Sequence, residues 1–331
     1  MKIAIIGAGG WGTALAKVAA ERKHEVTLWT RSDERADELN TSRENITYLP
    51  GIRIPTEISI TSEGSNIAGN ELYMVAVPSQ AVREITTGLA SNISAGAIVV
   101  SASKGIERHT LKRMTEVLAE TTDIPSDRLV SLSGPSHAEE VAKQIPTVVI
   151  SASTNEESAR VVQQALLLPY FRLYTSTDLV GVELGGALKN VIAICAGILD
   201  GEGFGDNTIA ALVTRGLAEM RRLGTALGAD DKTFSGVAGL GDLVVTCLSK
   251  HSRNRNLGYE LGKGRNLYDI LGTMKMVAEG VWTTESAREL AEKHGVEMPI
   301  IEETYKILFE NKDYRQATTE LMTREAKDER H

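Results

Sequence analysis

The chain has 331 residues, of which 42% are hydrophobic and 24% charged, the balance of a folded globular protein rather than a disordered one. At roughly 150 residues per domain this leaves room for about two domains with a substantial core. With 36 Lys and Arg against 44 Asp and Glu, the net charge of −8 excludes a general affinity for nucleic acid or anionic membrane, so any bound anion needs a local basic pocket.

Along the first half, short apolar runs alternate with amphipathic stretches. Strands are expected over 2–6, 25–29, 72–77, 97–101, 129–132, 147–151 and 171–174, and helices over 13–22, 79–90 and 111–120. Nearly continuous apolar strands separated by helices argue for a parallel sheet covered on both faces. Right-handed crossovers then give an α/β, doubly wound domain of the dinucleotide-binding type, expected over 1–177. From Asp178 the pattern turns helical, with helices expected over 179–199, 207–227, 239–248, 283–294, 300–309 and 314–325. The second domain, 178–331, therefore reads as all-helical, with a frayed end over 327–331.

Cys195 and Cys247 lie inside apolar segments, which argues against a disulfide framework and for a reducing compartment. The most apolar stretch, 180–199, is interrupted by Glu183, Lys189 and Asn190, and is not expected to span a membrane. With no signal-like start, the protein is expected to be cytoplasmic and not inserted in a membrane.

Gly7-Ala8-Gly9-Gly10-Trp11-Gly12 fits G-x-G-x-x-G directly after the first strand and opens a helix. Gly7 allows the tight turn, Gly9 lets backbone amides approach a pyrophosphate, and Gly12 lets helix and strand pack closely. The helix N-terminus offers unpaired amides to that anion. Nineteen positions beyond Gly12, at the end of the second strand, stands Arg31 rather than an acid. A guanidinium there suits a 2′-phosphate, so NADPH is expected to be preferred over NADH; the bland alternative is a solvated arginine.

Gly185-Gly186-Ala187-Leu188-Lys189-Asn190 lies within the second domain's first helix. The lysine stem leans over Gly186 and Gly185, and two helical glycines cost roughly 1 kcal/mol each relative to alanine. Close approach of a ligand or another helix would offset that, as would plain packing beside a snorkelling lysine. Asp242 and Thr246 share a face at i, i+4, although a lone aspartate near a helix start is most often a cap. His251-Ser252-Arg253-Asn254-Arg255 places Ser252 as N-cap with Arg253 and Asn254 in the first turn, either a phosphate receptor or a solvated basic turn. In the first domain, Ser103-Lys104-Gly105 and Gly134-Pro135-Ser136-His137-Ala138 follow strand ends, where an open α/β sheet forms its ligand crevice. His137 is expected to cap or pack rather than act as an acid–base group. The six histidines show no metal-ligand spacing, and no metal is expected.

Taken in order, these segments, together with Val277-Ala278-Glu279-Gly280, resemble the bacterial-type NAD(P)-dependent sn-glycerol-3-phosphate dehydrogenases over nearly the whole chain. The resemblance implies a helical second domain like that of 6-phosphogluconate dehydrogenase, and reversible reduction of dihydroxyacetone phosphate for glycerophospholipid synthesis. It implies Lys189 as proton donor and acceptor, assisted by Asp242 and Lys104. Lys104, Gly134, Ser136, Lys189, Asn190, Asp242, Thr246, Ser252, Arg253 and Asn254 would then meet the substrate. Gly10, Trp11, Arg31, Lys104, Ala138, Arg253, Val277 and Glu279, with the motif glycines, would meet NADPH or NADH, in a homodimer. Two other readings share the architecture: a 3-hydroxy acid or ketopantoate-type dehydrogenase, and a non-catalytic NADPH sensor. The Ser252-Arg253-Asn254-Arg255 cluster argues against the first, because it calls for a phosphorylated substrate, and a sensor would need no Lys189, Asp242 or Arg253 cluster.

Overall fold

A computed structural model describes the whole chain apart from Lys275, Lys327, Arg330 and His331. The stretch read as a frayed end therefore falls partly outside the described residues. The first half runs β1 (Lys2–Ile6), α1 (Gly10–Glu21), β2 (Glu25–Trp29), α2 (Asp33–Ser42), β3 (Glu44–Asn45), β4 (Leu49–Arg53), β5 (Ser59–Thr61), β6 (Leu72–Val75), α3 (Val82–Leu89) and β7 (Ile98–Ser101). It continues through α4 (Met114–Thr122), β8 (Leu129–Ser133), α5 (Ala138–Ala142), β9 (Thr147–Ala152), α6 (Glu156–Leu166) and β10 (Phe171–Ser176). The helical half is α7 (Leu179–Glu202), α8 (Asp206–Ala226), α9 (Asp231–Phe234), α10 (Asp242–Leu248), α11 (Arg253–Gly262), α12 (Leu267–Thr273), α13 (Glu279–His294), α14 (Pro299–Phe309) and α15 (Tyr314–Met322).

Eight strands form one sheet in the order β10-β9-β8-β7-β6-β1-β2-β5. Alternation along β1 sends Ile3 and Ile5 into the core shared with α1 and α6, and Ala4 and Ile6 into the opposite core beneath α3 and α4. Chain order reverses direction at β1, which pairs with β2 on one side and β6 on the other, and this leaves a crevice at their C-terminal ends.

One junction departs from the expected all-parallel sheet: β9 runs antiparallel to β8, and β10 follows β9. The link from β8 to β9 holds only the five-residue α5. At 1.5 Å rise per residue such a helix is too short to carry the chain back along a strand, so β9 starts from the opposite end. The small β3–β4 hairpin, β5 and several short helices have no counterpart among the expected elements. Short elements of this kind carry too few residues for a periodicity to show.

The helical half is built around α7. By length and composition alone α7 is apolar enough to cross a membrane, but 94% of its most apolar window is buried inside the protein. It packs against α8, α10, α11 and α13. Its crossing with α11 is glycine on backbone: a Cβ on Gly197 would overlap the Arg255 carbonyl, and one on Gly258 the Ile194 carbonyl. The helix expected over 239–248 is interrupted. A wide π-turn at Val237–Gly241 precedes α10, so that Asp242 occupies the first α-helical position.

Candidate active site

At the dinucleotide end, Gly7 has φ +113°, and a Cβ there would lie 2.7 Å from the Ala76 carbonyl oxygen. A Cβ on Gly12 would overlap the Gly7 carbonyl, which is the close strand–helix approach expected of that position. At Gly9 nothing stands within 4 Å of a Cβ position, so this side of the turn is open. Gly9 is the N-cap of α1, accepting the Thr13 amide at 3.0 Å, and α1 begins three residues earlier than the apolar periodicity indicates. The open glycine beside the first-turn amides forms a cradle that fits a pyrophosphate. Ala138 borders it, 3.7 Å from a Cβ position at Gly10. Trp11 is half-buried, its ring 6.5 Å from that of Phe171. Arg31 is exposed just beyond β2, next to Ser32, the N-cap of α2.

The reacting end is a buried ionic cluster. Lys189, from the middle of α7, donates from Nζ to Asp242 Oδ1 and, at 2.7 Å, to Thr246 Oγ1. Lys104, from the loop after β7, donates from Nζ to Asp242 Oδ2 at 2.7 Å and to the Gly134 carbonyl at 2.8 Å. Asp242 and Lys189 are 1% and 6% exposed. Gly185 and Gly186 make the assembly possible. A Cβ on Gly186 would lie 2.5 Å from Ser133 Oγ and 3.5 Å from the Lys104 stem, and one on Gly185 2.7 Å from the Ala238 carbonyl. Other parts of the chain, Lys104 among them, thus fill the gap in the helix surface.

Charge in this cluster is unevenly balanced. Burial, aided by the like charge of Lys104, lowers the Lys189 ammonium to a pKa of about 7 against the opposing pull of Asp242. Burial alone would raise the Asp242 carboxyl, but Lys104 and Lys189 outweigh it and hold the group ionised, below the usual carboxylate range.

The remaining expected residues differ in how they are engaged. Ser136 Oγ donates to the Gly134 carbonyl at 2.9 Å, so it reaches Lys104 through that shared oxygen. Asn190 is buried and its amide faces the Gly186 carbonyl at 3.4 Å. Ser252 caps α11 by accepting the Arg255 amide at 3.2 Å, and Asn254 Oδ1 accepts the Gly280 amide at 2.9 Å. Arg253 is exposed in the first turn of α11. Val277 is exposed ahead of α13, and Glu279, first in α13, accepts at 2.9 Å from the Ser79 amide and also from the Ser79 hydroxyl. His137 occupies the N-cap position of α5 without making a side-chain cap bond. Its ring lies 5.7 Å from that of His251, and burial, followed by the charge of Lys189, lowers its pKa.

Ser79 is absent from the sequence-derived set although it is 1% exposed and bound to Glu279. The signal was available: Val77-Pro78-Ser79 follows β6, and the rule that singled out Lys104 beyond β7 applies equally there.

Comparison with known proteins agrees with this architecture over both halves. Residues 2–159 match the family model for the NAD-dependent glycerol-3-phosphate dehydrogenase N-terminus, and residues 178–319 match the model for the C-terminus. A glycerol-3-phosphate dehydrogenase (NAD(P)+) of Citrifermentans bemidjiense is 53% identical, covering 99% of this chain and 98% of the relative. The corresponding protein of Chlorobium phaeobacteroides is 51% identical over the full length of both. Among solved structures, the glycerol-3-phosphate dehydrogenase of Coxiella burnetii superposes with a TM-score of 0.93 at 38% identity, covering 98% of this chain and 99% of that one.

Proposed function

This chain belongs to the NAD-dependent glycerol-3-phosphate dehydrogenase family, and from that premise we propose that Lys189 carries the proton in the reversible reduction of dihydroxyacetone phosphate to sn-glycerol 3-phosphate. The protein is an oxidoreductase whose cofactor is NAD or NADP. The observation that carries the residue assignment is the sharing of Asp242 by Lys104 and Lys189 inside the buried cluster.

When bound, the nicotinamide supplies or accepts the hydride. Residues of the Gly7-to-Gly12 turn and the α1 N-terminus hold the pyrophosphate, Arg31 takes the 2′-phosphate, and NADPH is accordingly preferred. In reduction, negative charge develops on the carbonyl oxygen, and the Lys189 ammonium stabilises it and gives up a proton from Nζ. In oxidation the neutral amine takes the hydroxyl proton. A lysine near its ordinary pKa of about 10.4 would be a poor base at neutrality, which is why its burial matters. Asp242 orients Nζ through its hydrogen bond, while Arg253, Ser252 and Asn254 hold the phosphate so that binding energy positions the reacting carbon. The division of labour falls at 177/178, and the working form is a cytoplasmic homodimer.

The test is to follow NADPH absorbance with dihydroxyacetone phosphate and, separately, with 3-keto acids including ketopantoate. Turnover confined to the triose phosphate is expected. Preference for a keto acid, or cofactor binding without any turnover, overturns the reading.

A further inference from the structure

Ser79 and Glu279 are 200 positions apart and belong to different halves of the molecule, yet the Glu279 carboxylate takes both the backbone amide and the hydroxyl of Ser79. The contact is tightly enclosed. Ser79 is 1% exposed, and a Cβ on Gly105, next to Lys104, would lie 2.5 Å from Ser79 Oγ. On the helical side, Glu279 starts α13, and the next residue makes two further connections. The Gly280 amide donates to Asn254 Oδ1 at 2.9 Å, and a Cβ on Gly280 would lie 2.5 Å from the carbonyl oxygen of Asn190, the residue after Lys189. Burial raises the Glu279 pKa on balance, against the lowering effect of the two Ser79 hydrogen bonds and of the nearby Arg253 charge. A continuous path thus leads from the sheet crevice at β6, through Ser79, Glu279 and Gly280, to the α11 first turn and to the backbone beside Lys189.

We propose that Ser79 is a positioning residue: by holding Glu279 it fixes the start of α13, and with it Asn254 and the Lys189 segment of α7, at the distance from the sheet crevice that the reaction requires. The proposal rests on the functional reading above. The physical reason is that a hydride donor lying on the sheet and a substrate held by the helical half must meet within a narrow range of separation, where a misplacement of about 1 Å costs on the order of a hundredfold in rate. Two hydrogen bonds to one carboxylate fix both separation and orientation, as a single bond would not.

Ser79→Ala removes the hydroxyl contact and leaves the amide in place. In the purified full-length protein we expect kcat with dihydroxyacetone phosphate to fall about tenfold. NADPH affinity, read by fluorescence titration, should stay within twofold of wild type. The primary isotope effect with NADPH deuterated at the transferring position should rise, because hydride transfer becomes more limiting. In a double-mutant cycle, Glu279→Gln should cost much less in the Ser79→Ala background than in wild type. Loss of folded protein alone would lower apparent kcat without changing the isotope effect. Wild-type kcat and isotope effect in Ser79→Ala, independent effects in the cycle, or an NADPH affinity loss matching the activity loss would each overturn the positioning role. Failure of wild-type protein to turn over dihydroxyacetone phosphate would instead count against the functional reading and leave the NADPH titration to be judged separately.

Discussion

Lys104 and Lys189 each place an ammonium on a different oxygen of the same Asp242 carboxylate. One lysine comes from the loop beyond β7, an interior strand of the sheet, and the other from the centre of α7, so the contact joins the two halves through a buried ionic cluster. One aspartate cannot fully compensate two cations. Burial, and after it the like charge of Lys104, brings the pKa of the more deeply buried Lys189 down to about 7 against the pull of Asp242.

That imbalance has a kinetic signature. With Lys189 as the proposed proton carrier, reduction draws on its ammonium and should slow as pH rises through about 7, while oxidation draws on the free amine and should speed up through the same point. Removing the like charge in Lys104→Met should raise the Lys189 pKa and move both limbs to higher pH, whatever it does to absolute activity. Rate–pH profiles in both directions check this, and limbs that stay in place would remove Lys104 from the tuning.

Loss of the amine itself should be severe. Lys189→Ala is expected to lower kcat/KM by about a hundred- to ten-thousandfold, the usual range for a positioned acid–base group, with NADPH affinity retained. Steady-state kinetics beside a cofactor titration separate the two effects.

Arg253→Ala should act on binding rather than chemistry. We expect KM for dihydroxyacetone phosphate to rise about tenfold or more, as for a lost charge-assisted hydrogen bond. Unphosphorylated dihydroxyacetone should be handled as by wild type. An unchanged KM for the phosphorylated substrate would free Arg253 from that role.

Arg31→Ala should weaken NADPH about tenfold and leave NADH nearly unaffected, because only the former carries the 2′-phosphate. Parallel titrations of the two cofactors decide it, and equal losses would mean that Arg31 does not read the phosphate.

The α7–α11 crossing gives a stability prediction independent of chemistry. Gly258→Ala puts a methyl against the Ile194 backbone, which cannot yield as a flexible side chain can. A loss of about 1–3 kcal/mol or more is expected, read as a lower midpoint in denaturant titration. Gly272→Ala, where no atom stands within 4 Å of a Cβ position, is the control and should not destabilise.

Local physics was sufficient for the elements whose signals are short-range. Alternating burial on β1, the glycine turn into α1, the Ser252 cap of α11 and the change from strand to helical period near Asp178 all depend on neighbours within a few residues, so the sequence determined them unaided. Lys189, Asp242 and Lys104 stand out in their local segments only as candidates, since the same spacing also allows a packed lysine, a helix cap and a loop lysine. Tertiary structure alone decided who meets whom. Nothing local states that Asp242 serves two lysines, that the gap over Gly186 admits Lys104, or that Glu279 reaches across to Ser79, since those pairs are 53 to 200 positions apart and their contact depends on how the two halves pack. The reversal of β9 belongs to the same class: strand propensity is indifferent to direction, and only the space left after α5 settled it.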